Sequence, residues 1–120
     1  MRKLFSIMTL LLILLTGCSS GSNYEISIET PPTYNGESES PIIFKVSEDG
    51  KPVEGLEVVA YLEMAKMDHG EIHVEFQDKG SGLYESSVEL PMAGEWIANI
   101  EVEKDGESFE EAIIFDVDEE

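Results

Sequence analysis

A chain of 120 residues is one domain's worth, and 26 acidic against 7 basic side chains give it a formal net charge of −19. That balance excludes a nucleic-acid binder, which needs clustered Lys and Arg to neutralise phosphate. The single cysteine excludes a disulfide scaffold within the chain, and 42% apolar residues argue against global disorder.

Arg2 and Lys3 precede Leu4 to Leu15, a run of 12 residues without a charge. The run is too short to span a bilayer, which takes about 20 apolar residues, so 1–17 reads as a secretory signal. It ends in Leu15-Thr16-Gly17-Cys18, which resembles the lipobox of bacterial lipoproteins. The resemblance implies diacylglyceryl transfer to the Cys18 thiol and cleavage after Gly17. It also implies an extracytoplasmic domain held by lipid on the cell membrane. One acyl chain binds only at about 10⁴ M⁻¹, whereas two hold firmly. After Cys18, Ser19-Ser20-Gly21-Ser22-Asn23 is small and polar, so residues 18–23 read as an anchor and flexible tether. Loss of the first 17 residues leaves 103, and because Arg2 and Lys3 leave with them the side-chain net charge becomes −21.

Period-2 alternation governs the domain over residues 24–120. Tyr24 to Glu29 is a first strand, stopped by Thr30-Pro31-Pro32. Ile42 to Ser47 is the second, with Ile42, Phe44 and Val46 inward, and Asp49-Gly50-Lys51-Pro52 is a turn. Leu56 to Glu63 is the third, pointing Leu56, Val58, Ala60 and Leu62 one way. Glu71 to Gln77 is the fourth, with Ile72, Val74 and Phe76 inward. Leu83 to Leu90 is the fifth and Glu95 to Glu103 the sixth, whose inward set is Trp96, Ala98, Ile100 and Val102. Lys104-Asp105-Gly106 is a hairpin turn before a seventh strand, Phe109 to Val117. Short strands with a turn every 8 to 12 residues predict an all-β fold, a seven-stranded immunoglobulin-like β-sandwich of Greek-key type. Glutamates between the apolar positions, such as Glu57, Glu75 and Glu101, read as a solvated face.

Soft donor atoms concentrate in one segment. Met64, Met67, His69 and His73 fall within ten residues of one another. Thioether sulfur and imidazole nitrogen suit copper, especially Cu(I), and suit calcium or magnesium poorly. In a seven-stranded sandwich successive connections alternate between the two ends. The 64–70 and 91–94 connections then share an end, which places Met92 beside Met64, Met67 and His69. Met64 continues the inward parity of Leu62, so a place in the core is the competing reading for it. His73 points outward near the same rim, as a further ligand or as a plain surface histidine.

Gly50-Lys51-Pro52-Val53, Met67-Asp68-His69-Gly70, Gly82-Leu83-Tyr84 and Gly94-Glu95-Trp96 occur in an order that resembles the YtkA-like domain. This is an extracytoplasmic β-sandwich family distantly similar to FixH proteins. Its members resemble copper-handling lipoproteins that assist assembly of haem-copper respiratory oxidases. The resemblance implies copper ligation by Met67 and His69, with Met64 and Met92 as further ligands. The implied function is carriage of Cu(I) to a protein acceptor, an oxidase subunit or another assembly factor. The paired His-x-Met motifs of better-defined periplasmic copper chaperones are absent in that arrangement. The alternative is a non-metal extracellular interaction or sensor module. An enzyme is not expected, since no Ser–His–Asp order or phosphate loop is present and the anchor consumes Cys18.

Overall fold

The structure is a computed structural model that describes residues 24–119 apart from Glu37, Asp68 and His69. The expected signal segment, Cys18 and the expected tether lie outside the described residues. Two antiparallel sheets face each other. The chain forms β1 (Tyr24–Thr30), β2 (Ser40–Glu48), β3 (Lys51–Pro52), β4 (Glu57–Met64) and β5 (Ile72–Glu75). It continues through β6 (Gln77–Gly80), β7 (Leu83–Val88), β8 (Gly94–Lys104) and β9 (Glu107–Val117). One sheet runs β1-β2-β7-β6 with β3 paired to β2, and the other runs β5-β4-β8-β9.

The inward sets are those that the alternation predicts. Ile42, Phe44, Val46, Val58, Ala60, Leu62, Trp96, Ala98, Ile100 and Val102 are all buried. Each large side chain among them contributes about 1.5–3 kcal/mol on leaving water, and together they hold the sheets face to face.

The described residues form nine strands, not the expected seven. Lys51 and Pro52 pair back onto Ser47 and Glu48 across a two-residue turn, where Asp49 (φ 51) and Gly50 (φ 78) both take left-handed backbone. The segment expected as one fourth strand divides at Phe76. Ile72–Glu75 pairs with β4 in the four-stranded sheet, and Gln77–Gly80 pairs with β7 in the other. Phe76 spans the gap, its ring stacked on Phe44 with centroids 4.7 Å apart and its N–H donated to the Val58 carbonyl at 3.0 Å. A strand that crosses between sheets keeps its inward parity, which is why alternation alone reads it as continuous.

Candidate functional site

The two connections expected at a common rim do lie side by side. In the β4–β8 ladder Met64 stands opposite Trp96. The pairing continues one residue past the strand end, where the Ala65 N–H donates to the Glu95 carbonyl at 3.0 Å. The terminal methyl of Met64 reaches over the other connection: a Cβ built on Gly94 would lie 3.4 Å from it. Gly94 has φ +133, so the chain turns into β8 with a conformation that favours glycine, and the missing side chain leaves the place that Met64 fills. Met92 is fixed from the core side. The buried Trp96 donates its indole N–H to the Met92 carbonyl at 3.2 Å.

Met64 and Met92 are half-buried, and Met67 is 52% exposed. Met64 packs against the hydrophobic core, as the core reading expects, and its methyl also reaches Gly94 at the rim. His69 lies outside the described residues, as does Cys18, the expected lipid-attachment residue. His73 projects from the outer face of β5, opposite Tyr61 in the ladder, and its ring stacks on that tyrosine with centroids 5.2 Å apart and planes 18° from parallel. Met64 has the inward parity of β4, so His73 and Met64 leave the same sheet on opposite faces. To reach an ion at the loop end the imidazole has to leave Tyr61.

Among the described residues no group of three or more His, Cys, Asp or Glu is placed to hold a metal ion. Met64, Met67 and Met92 all belong to the segments at this end. Two contributors escape a reading of donor types. Gly94 gives Met64 its seat, and Trp96, legible as core, also anchors Met92. The four-residue spacing from Met92 to Trp96 is the available signal, and it acquires meaning only once Trp96 is known to open a strand.

The other end of the sandwich is built differently. The Tyr84 hydroxyl donates to the Val53 carbonyl at 2.8 Å and accepts from the Leu56 N–H at 3.3 Å. Burial pushes the Tyr84 phenol above its ordinary value; the Leu56 hydrogen bond opposes this, and the charges of Asp78 and Glu54 add to the rise. Asp78 accepts from the N–H groups of Gly55 at 2.7 Å and Gly80 at 2.8 Å, which lower its carboxyl. Glu54 accepts from the Ser81 N–H at 2.9 Å. These bonds clamp the turns at that end. Tyr24, the first residue of β1, also lies there, opposite Glu48 in the ladder and in edge contact with Phe109 at 5.8 Å.

Among the described residues no helix is long and apolar enough to cross a membrane. A search of curated proteins found no relative of this chain. The family described as YtkA-like matches residues 19–112, a stretch that holds both sheets up to the middle of β9 and all of the loop end. On a match that covers well over half of its length, the chain belongs to the YtkA-like family.

Proposed function

We propose that the protein is a lipid-anchored extracytoplasmic carrier of Cu(I) that serves assembly of a respiratory haem-copper oxidase. The observation that carries the reading is the seating of the Met64 thioether on Gly94, which joins the Met64–Met67 segment to the segment that holds Met92. Met67 and His69 are the principal ligands, with Met64 and Met92 completing a sulfur-rich set. His73 takes part only by leaving Tyr61. Copper is cargo here. Few ligands at an accessible rim favour stepwise exchange to an acceptor over permanent retention. Membership of the YtkA-like family supports the reading through the copper-handling proteins that the sequence resembles.

Tyr24, where the described chain begins, lies at the end opposite Met64 and Gly94, and an anchor at Cys18 would join the domain there through the flexible tether. Confinement to one surface raises the encounter rate with an acceptor in the same membrane.

The rival reading, a non-metal interaction or sensor module, draws support from the exposure of Met67 and Ile114. Cu(I) titration of the full lipid-modified chain separates the two. Lipid modification matters, because a free Cys18 thiol would itself take the metal. Met67→Ala and His69→Ala are each expected to weaken binding at least about tenfold, the loss seen when even an outer partner of a metal ligand is removed. Wild-type affinity in both variants would falsify copper carriage and leave the interaction module.

A further inference from the structure

The outer face of the β5-β4-β8-β9 sheet departs from the pattern that solvates a strand. Near the loop end its cross-strand rows read Glu63, Ile97, Ile114 and then His73, Tyr61, Asn99, Ala112. Val59 follows Tyr61 along β4. Ile114 is 65% exposed, and Val59, Tyr61 and Ile97 are half-buried. Apolar side chains thus occupy positions where alternation elsewhere puts glutamate, Ile97 and Ile114 on one side and Val59 and Tyr61 on the other of a hydrogen bond from the Asn99 amide to Glu63 at 3.3 Å.

Acids dominate the charge around them. Glu63, Glu75, Glu95, Glu101, Glu110 and Asp116 all project from this face and among the described residues no lysine does, although Lys79 of the other sheet lines a depression with Glu75 at the β5 edge. The other sheet differs, since Lys45 and Lys79 project from its outer side. Asn99, Glu101, Glu110 and Ala112 line a shallow depression beside the patch.

We propose that this face is a docking surface for a protein segment that presents Lys or Arg side chains around an apolar or aromatic residue. An apolar centre with a charged rim is the anatomy of a binding patch: the centre supplies affinity and the rim supplies steering and register. Charge selects the occupant. A second copy would set acid against acid, with a formal charge of −19 on each chain. An anionic bilayer surface meets the same repulsion. A basic segment is drawn in by the rim and loses water at Ile114 and Tyr61. None of these side chains is needed as a metal donor, so the surface stands whether or not the loop end carries copper.

The test uses the full chain in zwitterionic micelles with a metal chelator present, so that its outcome is independent of copper carriage. The probe is a lysine-rich peptide with a central tryptophan, compared with a twin that has alanine in that place. Amide shifts are expected to concentrate on Tyr61, Ile97, Asn99, Ala112 and Ile114. Affinity is expected to fall about tenfold in Ile114→Glu, in Glu110→Lys and with the alanine twin. Ile114 is exposed, so its substitution leaves the core intact, and an unchanged amide spectrum away from the face verifies this. Equal binding of the twin, or shifts spread over both sheets, would overturn the proposal and reduce the acids to solvation. Dimers in sedimentation that Ile114→Glu abolishes would assign the patch to a second copy and overturn it too. So would broadening of the same amides by nanodiscs without peptide, which would make the bilayer the occupant.

Discussion

Gly82 sits in the turn between β6 and β7 with φ +76, and a Cβ there would meet the Val46 carbonyl oxygen at 2.6 Å and Pro52 Cβ at 2.9 Å. Both obstacles belong to backbone or a rigid ring, so neither can step aside. Gly82→Ala is expected to cost roughly 2 kcal/mol or more, as backbone strain and overlap together. Gly106→Ala, at φ +81 but with open space around it, is the control and should cost only about 1 kcal/mol. Urea-unfolding midpoints measure the difference, and equal losses would mean that φ alone matters. Asp78 yields a prediction against pH. The Gly55 and Gly80 N–H groups hold its carboxyl below the usual 3.8. A lowered carboxylate stabilises the fold at every pH above its unfolded value, and that contribution is lost as pH falls through the folded value. The melting-temperature gap between wild type and Asp78→Asn should stay constant from neutral pH down to about 4 and then close. A gap independent of pH would place its cause outside this carboxylate.

At the scale of elements, β8 links core to loop end. It carries Trp96 inward beside the connection that holds Met92, and it pairs with β4 from Trp96 to Glu103 and with β9 along its whole length. Trp96→Phe keeps an aromatic ring in the core and removes the bond to the Met92 carbonyl. We expect a loss of about 1–2 kcal/mol for the hydrogen bond and the vacated volume. Backbone amides of the 91–94 connection should also exchange hydrogen faster, while those of β2 should not. Unchanged exchange at 91–94 would show that Gly94 and the ladder hold that connection without the indole. β9 shows a second feature hidden from alternation. Glu111 takes an inward position in that edge strand, and its Oε2 is buried without a hydrogen-bond partner. An inward carboxylate discourages another strand from adding at the edge, which explains a glutamate where the pattern calls for an apolar residue.

For the whole molecule the governing quantity is charge. Acids outnumber lysines on and around the four-stranded sheet's outer face, so compact folding brings like charges together. Salt should therefore stabilise the protein, since the screening length falls from about 30 Å at 0.01 M to about 3 Å at 1 M. We expect the melting temperature to rise by roughly 5 °C over that range, equivalent to about 1 kcal/mol in a domain of this size. A flat or falling profile would mean that the acids are compensated locally. The two ends of the molecule also divide their tasks. Carboxylate and phenol bonds clamp the end where β1 begins, and at the opposite end the Met64 methyl packs over Gly94.

The amino-acid sequence by itself determined the all-β class, the inward residues of the second, third and sixth predicted strands and the turns at Asp49-Gly50 and Asp105-Gly106. These follow from side-chain alternation and from residues that tolerate positive φ, both local properties. The adjacency of the Met64 and Met92 segments was also legible, because alternation of chain ends in a sandwich is a topological rule. Only the tertiary structure decided that one apparent strand crosses between sheets at Phe76, since inward parity is the same on either side of the crossing. It alone set Met64 on Gly94 and turned His73 onto Tyr61, because such contacts depend on register between strands far apart in the chain.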